Sequence, residues 1–480
     1  MNKLLYGLKE DTNYGYTQNG GIKHNTTNSK LLDLFAMGAA MRNRKDNDCI
    51  LLFKEAYEEN SVYALKCLFY IRDIIEGQGE RRFFRVCINW LADYDLDAIL
   101  RNINKIPLYG RWDDLYALVD TPAENAAFSL IKNQLKLDTT TKVCSLCAKW
   151  LHSENCSSRE SRRLGEITRK YLNMSHREYR KMLSYLRSKI NIVEKLMSEN
   201  RWEEIEFDKL PSVAGIRYRN AFARNDIIKE RYKRFVADKK TKVNAAALYP
   251  YQVVDKAIHT GSYTERSVIN KYWDNLTDYF NGCQLNALCM VDTSGSMFGT
   301  PINVAISLGL YCAERAKGPF FNHYISFSHQ PQLIECSGID FVDKVKRIYN
   351  NILVENTNIE AAFDMILNSA LQHHVPQKDL PEYILIISDM EFDDAIYAKT
   401  WDKNTTMEKI MKKWEYFGYT CPKLIFWNVD AKQSNIPMIG STISYISGFS
   451  PSIFSTIISG KTGAELMMEK LNSDRYSSIF

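Results

Sequence analysis

Apolar residues in the first half of the chain recur at three- and four-residue intervals, whereas in the last third they gather into short unbroken blocks. Leu31, Leu32, Phe35, Ala36 and Ala39 fall on one helical face, with Asn28 or Ser29 placed to cap its start. Similar patterns predict helices over 50–58, 61–75, 80–93 and 95–106, joined by short links such as Glu76-Gly77-Gln78-Gly79. Amphipathic helices with short connections bury their apolar sides only by stacking on one another, so an α-helical repeat (HEAT-like) array is expected over 28–280, although no fixed period stands out. Residues 1–27, rich in Gly, Asn and Thr, read as an irregular arm.

From 281 to 480 the texture changes. Apolar blocks at 288–292, 322–327, 383–389, 423–428 and 443–446 read as strands. They alternate with helical patterns at 302–316, 342–352, 359–371, 406–416 and 464–471. That alternation predicts a doubly wound, Rossmann-like α/β domain with a parallel sheet covered on both faces. Residues 243–280 read as a helical connection into it.

The block Leu288-Cys289-Met290-Val291-Asp292 runs straight into Thr293-Ser294-Gly295-Ser296. A strand with that ending delivers one carboxylate and two hydroxyls to the carboxyl edge of the sheet, where open α/β sheets bind ligands. Asp292, Ser294 and Ser296 are hard oxygen donors, suited to Mg²⁺ or Mn²⁺ rather than zinc. Thr357, just before the 359–371 helix, and Asp389, at the end of the 383–389 strand, can complete such a set. Helix capping is the plainer use of the same residue types.

Composition changes the picture mainly through charge. The net charge of the 480-residue chain is only +5, yet residues 157–242 hold 23 Lys and Arg against 12 Asp and Glu, a local +11, leaving −6 elsewhere. A basic helical segment of this kind is either a solvated surface or a polyanion-binding one. Tyr171, Tyr179, Tyr185, Trp202, Tyr218, Phe222, Tyr232 and Phe235 are interleaved with its cations. Aromatics at helical spacing are more often core than base-stacking platforms, so the cations are expected to carry any binding. No apolar run reaches the roughly 20 residues of a membrane span. Eleven cysteines without a framework and no signal-peptide pattern at the start lead us to expect a cytoplasmic protein.

Four further motifs bear weighing. The segments 71–82 and Leu108-Tyr109-Gly110-Arg111-Trp112-Asp113-Asp114-Leu115 read best as rigid helix–helix corners. Cys144, Cys147, His152 and Cys156 invite a zinc reading, but no second ligand pair lies nearby and the segment suits a small-residue helix better. Asp292, Asp389, Glu391, Asp393 and Asp394 form an acidic neighbourhood that two catalytic metals could share. No general base or nucleophile accompanies them, so no enzyme is expected.

The Asp292-x-Ser294-x-Ser296, Thr357 and Asp389 pattern, in that order, resembles the metal-ion-dependent adhesion site of von Willebrand factor A (vWA) domains. That resemblance implies that Asp292, Ser294, Ser296, Thr357 and Asp389 form the shell of one Mg²⁺ or Mn²⁺, with a position left for an acidic protein ligand. A helical region, a basic stretch and a vWA-like domain together resemble the Ro/TROVE ribonucleoproteins. More closely, through Gly77-Gln78-Gly79-Glu80-Arg81, Tyr109 to Leu115, Ser145 to Trp150, Arg180 to Arg187, Pro211 to Arg224, Ile387 to Phe392 and Phe426-Trp427-Asn428, the chain resembles a domain-of-unknown-function family with the same layout. The Ro resemblance implies a non-enzymatic RNA-binding scaffold for small structured or single-stranded RNA. The candidate phosphate contacts, chosen by charge and not by motif, are Arg177, Arg180, Lys181, Arg187, Arg217, Arg219 and Arg224. The alternative is a metal-dependent protein adaptor or a structural part of a larger particle, without RNA.

Overall fold

The computed structural model describes residues 13–480 apart from 191, 281, 283–284, 328–329, 353–357, 394–403, 441–442 and 458–462. By contact the chain forms two compact units, one made of the residues up to Cys67 with Ala245–Ser477, the other of Leu68–Asn244 with Ser478–Phe480. The N-terminal region is mostly helical and is followed by a mixed sheet with surrounding helices. The compact units do not follow the sequence boundary at 280/281. Residues 28–67 and 245–280, which read as part of the helical domain, pack with the sheet, as does the described part of the arm, 13–27.

In the first unit the arm is not irregular throughout. Strands β1 (Tyr14–Tyr16) and β2 (Ile22–His24) form an antiparallel hairpin. The main sheet comprises β3 (Ala287–Asp292), β4 (His323–Phe327), β5 (Gln332–Glu335), β6 (Tyr383–Ser388), β7 (Lys423–Asn428) and β8 (Ile443–Ser447), in the order β5-β4-β3-β6-β7-β8. All neighbouring pairs are parallel except β4 with β5. Every residue of β3 and β6 is buried, which is why their sequences are continuous apolar blocks rather than alternating ones. β5 escapes the sequence reading because it is a four-residue edge strand with no buried residue. Gly309 in the helix Thr300–Arg315 lets that helix press onto β3, since a Cβ there would stand 2.4 Å from Val291 Cγ2. The helices Pro250–Ile258 and Tyr263–Asp274 pack against Thr300–Arg315 and Phe341–Asn351, and Lys30–Met37 packs on β8.

The second unit is helical, with the helices Arg82–Tyr94, Glu124–Thr140, Arg159–Leu172, His176–Lys189, Ser212–Arg224 and Lys229–Ala237 as its longest elements. Its core carries an unusual ionic cluster. Arg72 and Asp114, both buried, pair at 2.7 Å; Arg85 reaches Asp114 at 2.7 Å and Asp113 at 2.9 Å; Arg111 holds Asp113 at 2.6 Å. The Arg111 guanidinium also lies 3.9 Å over the Trp150 ring. Gly110 is forced by this crowding, because a Cβ would stand 2.3 Å from Asp114 Oδ2. The Gly110-Arg111-Trp112-Asp113-Asp114 motif is thus a satisfied structural corner.

Candidate functional site

β3 is the first strand of the sheet in sequence, yet it lies in the middle. The chain leaves it towards β4 on one side and later returns to lay β6 on the other. Connections that diverge in this way leave a crevice at the carboxyl ends of the two strands, the switch point where doubly wound sheets take ligands. Val291 pairs with Ile387, so Asp292 and Ser388 end their strands at the same level.

The side chains there are closely connected. Asp292 is fully buried; its Oδ1 accepts from the Ser294 amide at 2.9 Å and its Oδ2 from the Ser388 hydroxyl at 2.5 Å. The Ser294 and Ser296 hydroxyls are 3.1 Å apart. Asp389, also fully buried, accepts from the Glu391 amide at 3.2 Å. Between these carboxylates Met390 takes a left-handed backbone conformation, φ 63°, a local strain that turns the chain sharply after Asp389. Burial, reinforced by the neighbouring Asp389 charge, pushes the Asp292 carboxyl up to about 7.

Asp292, Ser294, Ser296 and Asp389 are therefore brought to one edge. Thr357 lies outside the described residues, as does Asp394. Two carboxylates and two hydroxyls match in kind what Mg²⁺ or Mn²⁺ takes. The third party at this edge is a cation of the chain itself. Lys432 Nζ donates to Asp389 Oδ2 at 2.8 Å and to the Ser296 carbonyl at 2.5 Å. Sequence reading missed Lys432 and Ser388. The available signal was that Asn428-Val429-Asp430-Ala431-Lys432 follows the apolar 423–428 block, and so exits the sheet at the same edge.

The N-terminal hairpin closes over the loop that follows β6. Thr17 Oγ1 donates to the Phe392 carbonyl at 2.6 Å, Asn19 Nδ2 to the Glu391 carbonyl at 2.6 Å, and the Gln18 amide to Glu391 Oε2 at 2.8 Å. Glu391 and Asp393, two members of the acidic neighbourhood, thus sit at the foot of this clasp.

In the helical unit, the candidate phosphate contacts divide. Arg177, Arg180, Lys181, Arg217 and Arg224 are exposed. Arg187 is not available: its guanidinium donates to the carbonyls of Ala148 (2.9 Å) and Leu151 (2.8 Å) and to Ser153 Oγ (3.0 Å). Arg219 is half-buried and donates to the Ile216 carbonyl at 2.9 Å. Of the aromatics in the segment, Tyr179, Phe222 and Tyr232 are buried, while Tyr185 stands 51% exposed. A cleft of about 680 Å³ lies beside the His176–Lys189 helix, its walls including His176, Arg180, Arg187 and Lys195 together with Glu154 and Glu199. Cys147 is buried in a short helix and its thiol is pushed up by that burial. Among the described residues no group of three or more His, Cys, Asp or Glu is arranged to hold a metal. Nor is any helix among them long and apolar enough to cross a membrane.

Comparison with known proteins adds the family. "Uncharacterized protein L728" of Acanthamoeba polyphaga mimivirus is 29% identical over 495 residues, covering 94% of this chain and 85% of that protein. The crystal structure of the Deinococcus radiodurans RO (RSR) protein matches with a TM-score of 0.46 at 12% identity, over 94% of this chain and 100% of that one. A family model described as a domain of unknown function (DUF7788) matches residues 286–477. A second, described as a domain of unknown function (DUF2828), matches 17–135 and 133–281, more than half of the chain, and this protein belongs to the DUF2828 family.

Proposed function

We propose that this protein is a non-enzymatic scaffold that binds RNA through the helical unit. One observation carries the reading. Arg177, Arg180 and Lys181 project from one exposed face of the His176–Lys189 helix, and no ion pair compensates them among the described residues. Several other cations of the basic segment are paired: Arg163 with Glu160, Lys170 with Glu166, Arg201 with Glu204, Lys229 with Asp226 and Lys233 with Glu230. Like charges three and four residues apart repel by a few tenths of a kcal/mol per pair, a cost that a polyanion removes. The adjoining cleft is of nucleotide size, and the exposed Tyr185 ring on the same helix offers a surface on which an unpaired base can stack. In this reading the helices of the unit stack as HEAT-like repeats, as the sequence resemblance to the Ro/TROVE family implies.

The test is RNA binding by the intact chain across a salt series, beside a variant with Arg177, Arg180 and Lys181 replaced by Gln. Affinity for single-stranded RNA is expected to fall log-linearly with salt, and the triple variant to lose about two units of that slope, at roughly 0.7 per phosphate contact. Binding unaltered by the triple substitution, or absent for every RNA, sinks the reading.

A second activity is favoured by the convergence of Asp292, Ser294, Ser296 and Asp389 at the switch point. There the donor set would take Mg²⁺ or Mn²⁺, and the edge would engage an acidic side chain of a protein partner. Its test is partner capture by the wild-type chain against D292A, with RNA binding unchanged.

A further inference from the structure

The charge on Asp389 has an intramolecular solution. A fully buried carboxylate is costly unless paired, and its partner here is the Lys432 ammonium at 2.8 Å. The same ammonium reaches the Ser296 carbonyl, so it bridges the loop after β3 and the loop after β6. With Ser294 and Ser388 on Asp292, and Glu391 and Lys432 on Asp389, each carboxylate of the set is already satisfied within the chain.

Lys432 is held in place by its own backbone. Its carbonyl accepts from Arg44 Nη1 at 2.8 Å, and the Ala431 amide donates to the Ala40 carbonyl at 3.0 Å. Further along the loop, His24 and Ile436 exchange two backbone hydrogen bonds of 2.9 and 3.0 Å, and Lys23 Nζ donates to the Ser434 carbonyl at 2.7 Å. The N-terminal segment thus fixes the 431–436 loop on both sides of the lysine, and the side chain is only 26% exposed. A surface lysine that met Asp389 by chance would need none of these ties.

We propose that Lys432 is the resident cation of this site: it holds Asp389 and Ser296 in place of a divalent ion, and Mg²⁺ or Mn²⁺ enters only when Lys432 withdraws. Lys432 is then the residue that sets the cation specificity of the sheet edge. The inference rests on reading this edge as a cation site and is independent of RNA binding.

The experiment uses the full chain, stripped of divalent ions and titrated with Mn²⁺, with free Mn²⁺ followed by electron paramagnetic resonance and the melting temperature recorded in parallel. K432M keeps the aliphatic stem and removes the charge. It is expected to bind one equivalent of Mn²⁺ at least about tenfold more tightly than wild type, the order expected when a unit charge at hydrogen-bond distance is removed. It is also expected to gain melting temperature on binding, and K432M/D389N to lose both effects. Equal affinity in wild type and K432M overturns the role of Lys432 while leaving a metal site in place. No saturable binding in either overturns both the role and the cation-site reading. Should K432M fail to fold, K432Q takes its place in the same titration and is read by the same outcomes, and one equivalent bound by the wild-type chain at micromolar Mn²⁺ and lost in D389N overturns the proposal by itself.

Discussion

Arg180 and Arg187 lie two turns apart on the His176–Lys189 helix, and their guanidiniums meet different surroundings. Arg187 spends its donors on two carbonyls and a hydroxyl of the 148–153 segment, so its loss strands buried acceptors. Replacing Arg187 with Met is expected to cost about 2–3 kcal/mol of stability, read as a lowered melting temperature. Replacing Arg180 with Ala should leave stability within about 0.5 kcal/mol and instead weaken RNA binding at low salt. The reverse result, a stable R187M that no longer binds RNA, would return Arg187 to the binding face. Residue type alone marks both as candidate contacts; only the position of nearby carbonyls separates them.

At the scale of elements, two devices hold the sheet unit together from outside the sheet. Asp340 caps the helix Phe341–Asn351 through the Asp343 amide at 2.9 Å and receives Arg266 at 2.6 and 2.7 Å and Asn270 at 2.8 Å. Burial alone would raise the Asp340 carboxyl, but these bonds, Arg266 foremost, hold it below its ordinary value. A depressed carboxyl adds stability above the ordinary carboxylate range, and that contribution is lost as pH falls through the lowered value. D340A is therefore expected to cost about 2 kcal/mol at neutral pH, and the difference from wild type in thermal melts should shrink once pH drops below about 4. The second device is the β1–β2 hairpin on the 391–393 loop. Removing residues 1–25 should speed hydrogen exchange at 390–393, measured by mass spectrometry, while leaving protection across 159–224 unchanged. Unchanged exchange at 390–393 would mean that the loop keeps its shape without the clasp.

For the whole molecule, the proposed RNA face and the sheet-edge site belong to different compact units and share no residue. D389N and K432M are expected to leave RNA affinity within about twofold of wild type in filter binding, since sites with no shared residue or partner behave additively. A larger loss would show that the two activities are coupled.

The helices and strands themselves were legible because periodicity and burial are local. The 3.6-residue rhythm after Ser29 and the unbroken block from Leu288 to Asp292 each report how one element meets its core, without reference to the rest of the chain. The same locality put Asp292 and Asp389 at strand ends and marked 157–242 as a basic helical stretch. Local pattern could not show that β3 and β6 are neighbours across about ninety residues of sequence, nor that Ser388 closes on Asp292. It likewise could not recruit residues 13–67 to the sheet, or seat Lys432 on Asp389 by way of Arg44 and Ala40. The sequence by itself placed Asp292, Ser294, Ser296 and Asp389 at the sheet edge. Only tertiary packing decided which of them are already satisfied, because that depends on partners brought together from distant parts of the chain.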